Sequence, residues 1–345
     1  MPDFRPLVSI IIPVYNSEKF LSESIYSALA QTWKHTEIIV IDDGSSDNSF
    51  SIAQKFSSDS FKIYKQNNKG ASAARNLGFS VSKGDYIQYL DADDILAPDK
   101  IEKQLQLLDD QTGSHISSCS WAKFSTSIND AKLIPQKVWA DLSPIDWLST
   151  ALTGGGMMQT ACWLTPRHLI EKAGSWNESL KKNPNDDGEF FCRVLLNSKG
   201  IKFCEPAKVY YREHDNEKRV SKIVDREAIE SLFESHVSYE KEILKVEKSQ
   251  KTINAVVAKH TSFIYVYYND FPDLATKAEN RIKNLGVSKI RPQGGENFLI
   301  LARIIGFKKA LGLRKILLKN NNFTGLLNIF RKIMPNGLES SPSEK

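Results

Sequence analysis

The sequence predicts an α/β fold: a mainly parallel central sheet with helices on both faces, followed by a helical C-terminal region. Three observations predict it. Short, continuous runs of β-branched and apolar residues recur through the first hundred positions, as in strands buried on both faces. Segments with helical spacing separate them. Polar clusters stand at the ends of the runs, where ligands bind in open parallel sheets.

Residues 7–12 (LVSIII) form the first run, and Pro13-Val14-Tyr15-Asn16 ends it as a turn. Phe20, Leu21, Ile25, Ala28 and Leu29 then mark one helical face. Residues 37–41 (EIIVI) make a second strand, ending in the turn-rich DDGSSD of residues 42–47. A helix with Phe50, Ile52, Ala53 and Phe56 follows, then a short strand at 61–64, a polar loop at 66–71 (QNNKGA) and a helix over 73–81. The fourth strand, 86–90 (YIQYL), runs directly into Asp91-Ala92-Asp93-Asp94. Strand–helix alternation of this kind implies parallel pairing with right-handed crossovers.

Beyond residue 100 the spacing predicts a helix to 108, a strand over 115–124, a helix over 142–152, a flexible joint at Gly154-Gly155-Gly156 and an extended 158–164. A short helix at 166–173, a helix over 187–198 and one long strand or a strand pair over 201–211 come next. Long helical patterns begin near 224. The expected domains are therefore 1–220, with a first half to about 110 and a second half over 111–220, and a helical, basic region over 221–345.

The 345 residues are 41% hydrophobic and 25% charged, an ordinary globular composition with ample core. No run of 18 apolar residues predicts a spanning helix. Asp3 and Arg5 precede only a short apolar run, unlike a signal peptide. Four widely spaced cysteines (Cys119, Cys162, Cys192, Cys204) form no CxxC and fit a reduced, cytoplasmic chain. The net charge of +5 is uneven. Residues 297–345 carry nine Lys/Arg and two Glu, and no acid lies between Glu296 and Glu339.

The acidic turn at 91–94 has two readings from its residues alone. Carboxylates at i and i+2 on a strand end can face one hard divalent cation, which takes oxygen ligands. They can equally be a solvated loop whose Asp caps the next helix. Asp42-Asp43 are adjacent acids at a buried strand end, which repel unless something binds there.

Five segments in order decide between these readings: VSIIIPVYN (8–16), VIDDGSSDNS (40–49), NKGASAARNLG (68–78), GDYIQYLDADD (84–94) and NDDGEFFCRV (185–194). Together they resemble the family 2 glycosyltransferases, which have the GT-A fold, over roughly residues 7–215. The resemblance implies a nucleotide-sugar donor, a UDP sugar, and a Mn²⁺ or Mg²⁺ ion at its diphosphate. It implies Asp93 as metal ligand and Asp91 at the ribose or a metal-bound water. Asp94 remains either a third carboxylate of the site or a cap. Pro13, Tyr15, Asn16 and Asp43 would face the nucleotide, and Lys69 and Arg75 the diphosphate. Asp187, with Arg193 six residues on, matches the family's base, which takes the proton of an acceptor hydroxyl in an inverting transfer. Asp186 stands where the family usually has Glu, and Glu189 is the second candidate base. His214 lies where some relatives complete the metal shell. Trp163 and Trp176 are expected to be core residues or to stack on an acceptor sugar.

The implied acceptor is a glycan or lipid-linked hydroxyl, as in cell-surface polysaccharide synthesis. A sugar-phosphate nucleotidyltransferase would carry a Gly-rich, Arg-containing loop after the first strand, and PVYNSE is not one. A non-catalytic binder of the same fold would have no need of intact Asp91, Asp93 and Asp187. Residues 298–334 alternate apolar and basic residues at helical spacing. They read either as helices lying on an anionic membrane surface, at its cytoplasmic face, or as a helical subdomain or oligomer interface with basic outer faces. Aromatic residues are too few and too scattered there for a nucleic-acid stacking platform.

Overall fold

The computed structural model describes residues 5–108, 113–213 and 224–319. The chain forms two compact units, Met1–Ala255 and Val256–Lys345.

The first unit is built on β1 (Val8–Val14), β2 (Thr36–Asp42), β3 (Phe61–Lys65) and β4 (Tyr86–Tyr89), linked by α1 (Leu21–Leu29), α2 (Ser49–Gln54) and α3 (Ala71–Val81). β5 (Ile95–Leu96), α4 (Lys100–Leu107), β6 (His115–Phe124), β7 (Lys132–Leu133), α5 (Pro144–Thr150), β8 (Thr165–Pro166), α6 (Arg167–Ala173), α7 (Asp186–Leu196), β9 (Gly200–Arg212) and α8 (Arg226–Val246) follow. One sheet has the order β3-β2-β1-β4-β8, parallel except for β8, and β1 is buried along its whole length. The chain moves outward from β1 to β2 and β3 and then crosses back to β4. The order therefore reverses between β1 and β4, where such sheets open a ligand crevice. Register pairs Val14 with Asp42 and Ile11 with Tyr89, so the three polar strand ends emerge side by side.

A second sheet, β5-β9-β6-β7, stands behind the acidic turn. β9 is one long strand. It runs parallel to β6 and bulges between the pairs Cys119–Cys204 and Ser120–Lys208. The bulge contains Pro206, which has no N–H for a ladder.

Residues 158–164 depart from the extended reading. Thr160–Cys162 make a 3₁₀ turn, because buried amides hold its carbonyls: Gln88 Nε2 donates to Ala161 O at 2.8 Å and Gln104 Nε2 to Cys162 O at 3.0 Å. The Gln88 carbonyl in turn accepts from Lys100 Nζ, whose burial pushes its pKa down to about 8. The glycines at 154–156 end α5 in a π-type turn, with Gly154 at φ 89° and Gly156 at φ 127°.

The change of character near residue 220 does not coincide with the division into compact units. α8 packs on α7 inside the first unit, with Asn185 Nδ2 donating to Tyr239 Oη at 2.7 Å and Ser238 Oγ to Glu189 Oε1 at 2.8 Å. In the second unit α10 (Pro272–Asn284), α11 (Glu296–Ile305) and α12 (Phe307–Lys319) follow α9 (Gln250–Tyr267), which spans the boundary. Phe298, Leu301, Ala302, Ala310 and Leu311 are buried there, and Phe298 meets Tyr265 and Phe307 edge-on. The described part of the basic stretch thus turns these apolar residues inward, as a helical subdomain does. Residues 320–334 lie outside the described residues. Among the described residues no helix is long and apolar enough to cross a membrane.

Candidate active site

The crevice is bordered first by the ends of β1 and β2. Asn16 adopts φ 49°, a left-handed conformation that Asn tolerates. Its Oδ1 accepts from Ser46 N at 2.8 Å, and its own N donates to Ser45 Oγ at 3.1 Å. It therefore laces the two strand ends together. Tyr15 is 53% exposed beside it and offers an aromatic face at the rim. Pro13, expected at the nucleotide, is instead buried inside β1, opposite Ile41.

Asp43 is 3% exposed. Its Oδ1 accepts from Gln66 Nε2 at 2.7 Å and Lys69 N at 2.8 Å, and its Oδ2 from Gly70 N at 2.8 Å. The loop after β3 is folded onto this carboxylate. Gly44 makes that possible: it has φ 74°, and a Cβ there would stand 2.9 Å from Asn68 N. Lys69 contributes its backbone, and its side chain is exposed. Asp42 is 1% exposed, neither of its oxygens has a hydrogen-bond partner among the described residues, and Lys65 Nζ lies 4.0 Å away.

Arg75 does not face an open diphosphate pocket as the sequence suggested. It is 5% exposed and bridges two carboxylates, donating from Nη2 to Asp91 Oδ1 at 2.9 Å and from Nη1 to Asp186 Oδ2 at 2.7 Å. Burial alone would lower its pKa. Asp186 and Asp91 outweigh that and hold the guanidinium above its ordinary range.

The acidic turn is pinned from behind. Arg212, at the end of β9, donates from Nε to Asp93 O at 2.9 Å and from its backbone N to Asp94 Oδ1 at 3.0 Å. Its guanidinium lies between Phe20 and Phe124, 4.6 and 4.4 Å from the ring centroids, and Nη2 reaches Glu23 at 2.8 Å. Asp94 thus anchors β9, a role that neither sequence reading assigned. Asp91 is third-exposed on the crevice side, and Asp93 is half-buried. Residue 214 lies outside the described residues, so His214 has no structural place here.

Asp186 and Asp187 begin α7, where the helix dipole favours negative charge. Asp187 Oδ1 accepts from Gly188 N at 2.7 Å, and Thr160 Oγ1 lies 3.3 Å from Oδ2. Burial and then the Asp186 charge push the Asp187 carboxyl up to about 6, against Arg75 and the Gly188 N–H, which pull it down. Gly188 is required by packing, since a Cβ would overlap Tyr239 Oη and stand 2.6 Å from Asn185 Oδ1. Glu189, the second candidate base, is 3% exposed and locked in a two-pronged pair with Arg193 at 2.9 and 2.8 Å. Arg193 also donates to Ala173 O at 2.6 Å and Ser175 O at 2.9 Å, so it fixes the turn after α6 to α7. Trp163 and Trp176 are buried: Trp176 stacks on Phe190 at 4.0 Å and Trp163 on Phe191 at 5.3 Å.

Among the described residues no group of three or more His, Cys, Asp or Glu is arranged to hold a metal ion. A hard cation bridging a diphosphate takes one or two protein carboxylates and fills its shell from phosphates and water. Asp93 fits that sparse donor set: its backbone is fixed by Arg212 on the crevice turn. Asp91 fits it less well, since one oxygen is committed to Arg75.

A doubly wound sheet, a reversal point ringed by carboxylates and a second sheet behind the acidic turn together define a GT-A glycosyltransferase. A family model described as Glycosyl transferase family 2 matches residues 9–165. An uncharacterized glycosyltransferase of Rickettsia typhi is 32% identical over 237 residues, 67% of this chain and 71% of that protein. The putative glycosyltransferase EpsH of Bacillus subtilis is 25% identical over 295 residues, 82% of this chain and 83% of that one. The crystal structure of S. aureus TarS 1-349 in complex with UDP-GlcNAc has a TM-score of 0.66 at 17% identity, covering 89% of this chain and 91% of that chain, a likeness of fold. The chain belongs to glycosyl transferase family 2 and is a glycosyltransferase.

Proposed function

We propose that the protein transfers a sugar, with inversion, from a UDP-linked donor to a hydroxyl of a glycan or lipid-linked acceptor, as in the synthesis of cell-surface polysaccharides. The observation that carries this reading is the meeting of the donor turn and the α7 carboxylates across Arg75. Asp187 is tuned upward while it shares the crevice with Asp91, and carboxylates in different environments divide their labour. The UDP-GlcNAc complex of TarS supports the choice of donor.

In this reading the base stacks at Tyr15. An ionised carboxylate offers about four acceptor sites. Asp43 spends three on its own loop, which leaves one for a base N–H. A Mn²⁺ or Mg²⁺ ion held by Asp93, with Asp91 beside it, would neutralise charge on the departing diphosphate. Asp187 accepts the acceptor hydroxyl proton as that oxygen attacks the anomeric carbon from the face opposite the diphosphate. A carboxylate with pKa near 6 is ionised at neutral pH yet basic enough to take part of a proton. The anionic-membrane contact keeps the acid-free basic stretch as its support.

A panel of nucleotide sugars tests the donor. With Mn²⁺ present, a UDP sugar at a hundredfold excess over its Kd raises Tm by about 5 °C. A panel in which no UDP sugar stabilises the protein overturns this reading.

A further inference from the structure

Two carboxylates on different elements share one buried cation. α3 carries Arg75 beneath the crevice, and its two Nη groups are divided between Asp91, after β4, and Asp186, at the start of α7. The guanidinium cannot swing aside. It lies over the ring of Trp176 at 4.4 Å, and the neighbouring Asn76 fixes that tryptophan, accepting from Trp176 N at 2.9 Å and donating to Trp176 O at 3.0 Å. Asp186 passes the constraint on, because its Oδ1 accepts from Asp187 N at 2.8 Å. A continuous path of hydrogen bonds therefore runs from Asp91 through Arg75 and Asp186 to the backbone of Asp187. Each Nη gives one N–H to a protein carboxylate.

We propose that Arg75 is a positioning residue: it sets the first turn of α7, and with it the base carboxylate of Asp187, in register with the donor turn at Asp91. This rests on the reading of Asp187 as base. Lysine cannot replace it, since an ammonium is a point charge and lacks the planar fork that spans two carboxylates. Without a cation, Asp186 and Asp187 repel at adjacent positions and the first turn of α7 loosens.

The test uses the full chain, with R75K and R75Q, and the R75M/D186N pair as a variant that removes the cation together with one of its carboxylates. UDP binding with Mn²⁺ is measured by calorimetry, turnover with the UDP sugar that stabilises the protein, and amide hydrogen exchange over residues 185–189. The expected result is UDP affinity within about threefold of wild type, kcat lowered about 100-fold in R75Q and about 10-fold in R75K, and KM little changed. Exchange over 185–189 becomes at least about tenfold faster in R75Q, while the loop around Asp43 is unchanged. R75M/D186N folds, and its kcat loss does not exceed that of R75Q, because the two changes break one path. Unchanged exchange at 185–189 in R75Q overturns the proposal whether or not turnover is seen, as does kcat within threefold of wild type. A UDP affinity that falls more than tenfold in R75K also overturns it, in favour of a phosphate ligand. An active D187N with slow R75Q instead removes the base assignment and leaves the register of α7 intact.

Discussion

Asp187→Asn binds UDP and Mn²⁺ about as well as wild type and transfers sugar about 10²–10⁴ times more slowly, the usual loss on removing a general base. The same substitution makes the protein more stable. The folded carboxyl is raised to about 6 from an unfolded value of 3.8. A raised acid binds protons more tightly in the folded state, so its ionisation opposes folding as pH rises through that interval. Above pH 6 the cost is on the order of 2 kcal/mol after allowing for partial exposure. Asn, which carries no charge, removes it. Melting curves of D187N and wild type should therefore differ most at pH 8 and converge as pH falls toward 4. In wild type the rate should fall on the acid side of about pH 6. A variant with full activity contradicts the base assignment, and one less stable than wild type at pH 8 contradicts the raised carboxyl.

Asp93→Ala loses metal-dependent nucleotide binding. Two contacts that tie this turn to β9, from Arg212 Nε to the backbone carbonyl of Asp93 and from Arg212 N to Asp94 Oδ1, are untouched by the substitution. The variant should melt within a few degrees of wild type. Its UDP affinity with Mn²⁺ should fall by about tenfold or more, a modest share of the several kcal/mol a bound cation contributes. Chelator should lower wild-type affinity to the same level and leave the variant unaffected. Calorimetric titration of both proteins with UDP, with and without EDTA, reads all four values. Equal affinity in all four places the metal outside the mechanism.

The first sheet was legible chiefly through its inner strands β1 and β2, which are largely buried and read as apolar runs, whereas the edge strand β3 is mostly exposed. Val8–Val14 and Thr36–Asp42 are cases in which burial, propensity and turn residues agree. The second sheet was less legible. β9 carries Lys202, Glu205, Pro206 and Lys208, and only its pairing with β6 across a bulge makes it one strand. The turn at Thr160–Cys162 depends on amides 73 and 58 residues away, which no local pattern reports.

The site was legible as residue types but not as pairings. Asp43, Asp91, Asp93 and Asp187 could be picked from strand-end and helix-start positions. That Arg75 bridges Asp91 and Asp186 could not, because its partners lie 16 and 111 residues away. Arg212 was passed over for the same reason. Its one local signal is an arginine at the end of a largely apolar strand, where a buried charge needs partners. The family motif names Pro13 but not its surroundings, which the pairing of β1 with β2 sets. Glu189, only the second candidate base in the sequence, has both of its oxygens held by its fourth neighbour, Arg193, a pairing in keeping with a helix contact.

The central claim is single-displacement transfer from a UDP sugar with Asp187 as base. Early-time proton NMR of the sugar released from an α-linked UDP donor, before mutarotation, tests it most directly. The account predicts the β-anomer as the first product from wild type and release at least about 100-fold slower from D187N. The α-anomer as first product would contradict it.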